Sequence, residues 1–189
     1  MSLSTLWTVL FGVWVALELW VLFGRRASKQ DSAGRDRGTL RMLWITISAA
    51  MTACGYMRQM ALAPMAMPED TLRLAAILIL ALGLAVRVAS IVSLGSAFTA
   101  TVATRSDQKL HRSGLYAVVR HPSYLGMELV FLAVGAHARD WLCLAIALVP
   151  TTAALLVRIR VEEQALGELF GAEYDDYCRQ TRRLIPFVY

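Results

Sequence analysis

From Leu3 to Phe23 the chain runs for 21 residues with a single charge, Glu18. At about 1.5 Å per residue, a helix of that length crosses a hydrocarbon core of roughly 30 Å. No other feature constrains the fold as strongly, because a segment in lipid must satisfy its own backbone N–H and C=O groups, and a helix does so internally. Four more apolar stretches follow, at about 42–63, 72–98, 124–138 and 141–157. Pro64, Pro68, Glu69 and Asp70 mark a turn between the second and third, and Arg139 and Asp140 alone separate the last two, a spacing that predicts a tight antiparallel hairpin. The expectation is an all-α integral membrane protein, one domain over residues 1–189, with five transmembrane helices. Composition agrees: 57% of residues are hydrophobic and 17% charged, against roughly 45–50% and 25% in an ordinary soluble domain. Disordered, coiled-coil, collagen-like and disulfide-stapled secreted classes are excluded on the same grounds. Cys54, Cys143 and Cys178 form no metal-ligand or disulfide pattern and are expected to pack. With no Lys or Arg before Arg25 and no small-x-small cleavage site after the run, the first span reads as a retained helix.

The net charge of +5 is explained by topology. With the N-terminus outside, fifteen basic residues fall inside: Arg25, Arg26, Lys29, Arg35, Arg37 and Arg41 in the first loop, Arg105, Lys109, Arg112 and Arg120 in the second, and Arg158, Arg160, Arg179, Arg182 and Arg183 after the fifth span. Three (Arg58, Arg73, Arg139) fall outside, so the positive-inside bias sets the orientation and a nucleic-acid partner is not expected. The tail after Val157 alternates charge with Val161, Ala165, Leu166, Leu169, Phe170, Tyr174 and Tyr177 at helical spacing, which predicts a cytoplasmic amphipathic helix ended by Pro186.

Ionisable residues inside spans are costly in lipid and mark function or pairing. Glu18 faces either Arg58 or Arg87; Arg87 has snorkelling as its plain explanation; Glu128 either lines a cavity mouth or pairs with an arginine. Two denser clusters stand out. Gly114 to Tyr124 packs Tyr116, Arg120, His121 and Tyr124 just before the fourth span, and Pro122 suits the first turn of that helix while pushing His121 to an extended backbone. The free N–H groups of such a helix start suit a carboxylate or hydroxyl-rich ligand, and an interfacial aromatic belt is the alternative. Arg158 and Glu162 lie four residues apart where the fifth span meets the tail, on the same side of the membrane as the first cluster. No Rossmann glycine fingerprint, P-loop or hydrolase elbow occurs.

Taken together these clusters resemble the isoprenylcysteine carboxyl methyltransferase family. Gly-x-Tyr-x-x-x-Arg-His-Pro-x-Tyr is complete at Gly114–Tyr124, and Arg-x-x-x-Glu-Glu-x-x-Leu-x-x-x-Phe-Gly-x-x-Tyr-x-x-Tyr is complete from Arg158 through Glu162, Glu163, Leu166, Phe170, Gly171, Tyr174 and Tyr177. The closing Arg183-Leu184-Ile185-Pro186 is similar as well, so the likeness covers roughly Gln108 to Pro186.

The resemblance implies an S-adenosylmethionine-dependent methyltransferase whose cofactor pocket is lined by Tyr116, His121, Pro122, Ser123 and Tyr124 and wrapped by Gln108, Lys109, Leu110 and His111. It puts the cofactor-contacting carboxylate at Glu162 and the acceptor-facing arginine at Arg158, with Glu163 in support, and it calls for no metal. The implied acceptor is lipophilic, a prenylated carboxylate or a lipid-like phenol or thiol, met at the cytoplasmic interface of a prokaryotic inner or plasma membrane. The Arg-His-Pro half is shared with NADPH-dependent sterol reductases, so a membrane reductase is the rival, and a non-catalytic scaffold the third reading.

Overall fold

The computed structural model describes residues 2–25, 36, 38–100, 109–186 and 188, with Ser96 described through its backbone only. Six helices are present among them: α1 (Leu3–Gly24), α2 (Thr39–Met57), α3 (Glu69–Leu94), α4 (Pro122–Ala138), α5 (Trp141–Phe170) and α6 (Ala172–Gln180). Single 3-10 turns at Gly95–Ala97 and Gly114–Ala117 flank the approach to α4. The described residues form no β-strand; two isolated bridges, Pro64 with Asp140 and Val119 with Arg182, pin loops to one another.

α1, α3 and α5, at 22, 26 and 30 residues, are long and apolar enough to cross a membrane. α2 has 19 residues and α4 has 17. Large apolar side chains such as Val13, Phe23, Leu78, Leu82, Val92 and Val149 are exposed, the inverse of a soluble bundle. One cluster, including Trp14, Leu43, Ile47, Leu80, Val130, Phe131, Ala147 and Leu155, joins α1 through α5. Packing of this kind, rather than water exclusion, holds helices together in lipid.

Two close approaches set the bundle's geometry. A Cβ on Gly126 of α4 would lie 2.9 Å from both the Gly83 carbonyl oxygen and the Arg87 nitrogen, so α3 and α4 cross backbone to backbone. Gly135 of α4 meets Leu144 of α5 as closely. The predicted hairpin between α4 and α5 is there: Arg139 caps α4 at φ 59°, and Asp140 caps α5 by accepting from the Leu142 and Cys143 nitrogens at 2.9 and 3.0 Å. Its second carboxylate oxygen accepts from the Ala63 nitrogen at 2.7 Å, which ties the α2–α3 turn to the hairpin.

The tail departs from the sequence reading. The fifth span and the amphipathic helix are one helix, running through Pro150 and past Val157 to Phe170, where Gly171 at φ 52° ends it. Only α6 stands apart. The residues after α6 return to the start of α4: Arg120 N donates to Arg182 O at 2.7 Å, Arg182 N to Val118 O at 3.1 Å, and His121 N to Arg183 O at 3.1 Å. Cys54 and Cys143 are buried and all three cysteines are free thiols, consistent with packing roles.

Candidate active site

Pro122 occupies the first helical position of α4, where its missing N–H costs nothing, and His121 is the N-cap at φ −123°. The His121 carbonyl closes the first turn by accepting from Tyr124 N and Leu125 N, both at 3.1 Å. This directs the His121 and Tyr124 side chains toward α5, where Arg158 and Glu162 share a face one turn apart, and the Ser123 hydroxyl toward Arg87 of α3.

Tyr124 joins the two clusters. Its hydroxyl donates to Glu162 Oε1 and accepts from Arg158 Nε at 2.7 Å. Arg158 Nε also lies 3.3 Å from Glu162 Oε1, so the expected pair forms, though as part of a network rather than on an open surface. The Arg158 side chain is 2% exposed, and its remaining donors go to Asp36 Oδ1 at 3.0 Å, Thr39 Oγ1 at 3.3 Å and Ala100 O at 2.6 Å. Asp36 in turn caps α2 through Leu40 N. Arg158 thus ties the start of α2 and the segment after α3 to the wall formed by α4 and α5. Each of its three nitrogens donates to a protein group.

His121 sits between two carboxylates, with Nδ1 3.5 Å from Glu162 Oε2 and Nε2 3.5 Å from Glu163 Oε1. The second contact is not a hydrogen bond, and Nε2 is a buried atom without a hydrogen-bond partner. Burial disfavours the imidazolium, but the two carboxylates outweigh it and hold the His121 pKa above its ordinary value. Glu163 is fixed by Arg120 at 3.0 Å and Arg183 at 2.7 Å, and Arg120 also donates to Cys178 O and Thr181 O, so the motif's Glu163 anchors the tail to the site. Tyr177 of α6 donates to the Tyr116 carbonyl at 2.7 Å. Burial pushes the Tyr177 phenol up to about 12 and also raises that of Tyr116, so both stay protonated at neutral pH.

Tyr116, Arg120, His121, Tyr124, Arg158, Glu162 and Tyr177 line a cavity of about 170 Å³. Lys109, Leu110, His111, Tyr116, His121, Ser123, Tyr124, Arg158 and Glu162, all singled out from the sequence, face it together. Pro122 is buried behind them as the start of α4, and Gln108 lies outside the described residues. The opposite wall is apolar, with Val21 and Leu22 from α1, Leu40, Leu43 and Trp44 from α2, Leu94 at the end of α3 and Phe98 just beyond it. Sequence reasoning missed this wall, since its residues read as ordinary span residues or, for Leu40, as part of the polar loop before the second span.

It also left Glu18 and Arg87 open, and both line the cavity. Arg87 does not snorkel: it pairs with Glu18 through Nε–Oε1 at 2.9 Å and a second contact at 2.8 Å, both side chains nearly fully buried. Arg58 is therefore not the partner of Glu18. Among the described residues Glu128 pairs with no arginine; it accepts from Thr152 Oγ1 at 3.0 Å between α4 and α5, away from the cavity lining. Among the described residues no group of three or more His, Cys, Asp or Glu is arranged to hold a metal ion.

Residues 75–168 match the sequence profile of the isoprenylcysteine carboxyl methyltransferase (ICMT) family. A methanethiol S-methyltransferase of Bradyrhizobium diazoefficiens is 39% identical over 84 residues, which cover 44% of this chain and 31% of that protein. A protein-S-isoprenylcysteine O-methyltransferase of Saccharomyces cerevisiae is 34% identical over 113 residues, 59% of this chain and 47% of that protein. The chain therefore spans about a third to a half of the length of these relatives. The solved structure of the eukaryotic intramembrane Ras methyltransferase ICMT superposes with a TM-score of 0.57 at 26% identity, covering 76% of this chain and 52% of that one. On sequence and on fold, the chain is similar to the isoprenylcysteine carboxyl methyltransferase family.

Proposed function

We propose that this protein is an integral-membrane methyltransferase that uses S-adenosylmethionine to methylate a lipophilic acceptor at the cytoplasmic membrane interface. The observation that carries the reading is the two-sided cavity, in which Glu162, His121, Tyr116 and Tyr124 face an apolar wall from α1, α2 and the end of α3. A water-soluble donor and a lipid-like acceptor need such a meeting place. In this reading the chain has five spans (α1 to α4 and the first half of α5), the N-terminus is outside and the cavity lies on the cytoplasmic side, which the fifteen-to-three charge count supports.

The residues present fit such a donor. A carboxylate, Glu162, and the aromatic rings of Tyr116, Tyr177 and Trp44 line the cavity, surroundings that attract a cationic sulfonium. The buried, unpartnered His121 Nε2 is a polar atom at the same wall. Tyr116, His121, Pro122, Ser123, Tyr124 and Glu162 would hold the donor, with Gln108, Lys109, Leu110 and His111 closing over it. When bound, S-adenosylmethionine supplies an electrophilic methyl group for in-line displacement.

The chain's own contribution is chiefly alignment, which for a displacement reaction is worth several kcal/mol of the barrier, up to about 11. Arg158 holds Tyr124 and Glu162 in register and lends positive potential to the acceptor side. A carboxylate acceptor is already ionised and needs no base. A thiol or phenol must lose a proton; Tyr116 and Tyr177 keep theirs, His121 is held toward its protonated form, and Glu162, although burial alone would raise its pKa, is held below its ordinary value by His121 and Arg158, so none of these groups is a strong base for that step. The relatives' names include a thiol and a prenylcysteine acceptor, and the proposed acceptor class keeps that breadth.

Calorimetric titration of the detergent-purified protein with S-adenosylhomocysteine tests the reading. Micromolar binding, lost in Glu162→Ala and in His121→Ala, is the expected result. A folded wild type that binds no S-adenosylhomocysteine but binds NADPH would replace the methyltransferase with a reductase.

A further inference from the structure

The buried ion pair between α1 and α3 has one more partner, and that partner belongs to the cavity wall. Arg87 uses Nε and one terminal nitrogen on Glu18, and turns the other terminal nitrogen to Ser123, reaching its hydroxyl and, at 3.4 Å, its carbonyl oxygen. The Phe98 ring covers the guanidinium at 5.6 Å. Ser123 is the second residue of α4, between His121, whose imidazole faces Glu162 and Glu163, and Tyr124, whose hydroxyl bridges Arg158 and Glu162. The close crossing at Gly83 and Gly126 brings Arg87 within reach of Ser123, since the Arg87 backbone itself lies against Gly126 of α4, about one turn from Ser123.

From this chain of contacts we infer that Glu18 and Arg87 are positioning residues of the site: Glu18 fixes the Arg87 guanidinium, and Arg87 fixes the first turn of α4, and with it His121 and Tyr124. A pair that served only to join α1 to α3 would need no contact with α4. Neutralisation also matters to the cavity. An Arg87 cation without Glu18 would be a buried, uncompensated charge, and it would turn toward the remaining acceptors, the Ser123 carbonyl or the Glu162 side of the cavity. Glu18 lies outside residues 75–168, so a helix beyond the family-matched segment completes the support of a wall within it.

The inference rests on the proposed donor pocket for one of its two readouts, and the other is independent of it. Glu18→Gln keeps the shape of the side chain and removes its charge; Ser123→Ala keeps the Glu18–Arg87 pair and removes the hydroxyl contact to α4. Hydrogen exchange is followed at the Tyr124 and Leu125 amides, which bond to the His121 carbonyl. S-adenosylhomocysteine affinity is measured in parallel. Loss of a hydrogen bond to a charged group corresponds to about tenfold or more in an equilibrium constant, so both variants should exchange these amides about tenfold faster and bind S-adenosylhomocysteine about tenfold more weakly. Faster exchange at Tyr124 and Leu125 in a protein that never binds S-adenosylhomocysteine would sink the donor reading and support the positioning role. Exchange that rises within α1 and α3 in Glu18→Gln but stays at the wild-type rate at Tyr124 and Leu125 in both variants would overturn it.

Discussion

Gly126→Ala places a methyl group where two backbones already touch. The new Cβ would lie 2.9 Å from Gly83 O, 2.9 Å from Arg87 N and 3.1 Å from Arg87 Cα. Ordinary carbon contacts begin near 3.5 Å, so α3 and α4 must part by about half an ångström. Neither neighbour is a side chain that can rotate away. Overpacking of this kind costs about 1–3 kcal/mol. Replacing a helical glycine by alanine also returns up to about 1 kcal/mol of helix propensity, which would blur a measurement on this variant alone. Gly12→Ala in α1 supplies the control, because a Cβ there meets nothing within 4 Å and carries the same propensity gain. The difference between the two variants is therefore the steric cost. At about 2–4 °C per kcal/mol for a chain of this size, Gly126→Ala should melt roughly 2–12 °C below Gly12→Ala in the same detergent. It should also weaken S-adenosylhomocysteine binding, since the displaced α4 carries Ser123 away from Arg87. Equal melting midpoints for the two variants would refute the claim that this crossing is set by backbone contact.

Two further outcomes follow from other parts of the structure. Because His121 has its pKa raised in the folded protein, its protonated form stabilises the fold fully below about pH 6.5, its ordinary value, and that contribution is lost as pH rises through the folded-state pKa. Thermal midpoints of the wild type should fall as pH increases from about 6.5, while His121→Asn should show a flatter profile over the same range; parallel profiles would mean that the two carboxylates do not hold the imidazolium. At the other end of the bundle, Asp140→Ala removes the α5 cap and the bond to Ala63 N, and should lower stability by about 1–2 kcal/mol while leaving S-adenosylhomocysteine affinity intact. A loss of affinity matching the loss of stability would show that the two ends are coupled.

Much of the architecture is a local property of the chain. Apolar length marks the spans, the Arg139-Asp140 interruption forces the hairpin, and Pro122 starts α4, because each depends on residues that are neighbours in sequence. The same holds for the meeting of Arg158 with Glu162, one turn apart on α5. The sequence misjudged the end of α5, where a change from apolar to charged composition marks where the helix leaves lipid and not where its hydrogen bonding stops. Other features were beyond local reading. Glu18 had two candidate partners, and only the packing of α1 against α3 selects Arg87 over Arg58. The bridging of Arg158 and Glu162 by Tyr124, the anchoring of Glu163 by Arg120 and Arg183, and the apolar wall opposite them join residues tens of positions apart. Composition and periodicity fix which residues leave water and in what local shape. Which buried charges then meet is decided by helix crossings, here by two glycines that let α3 and α4 touch, and those exist only once the bundle has formed.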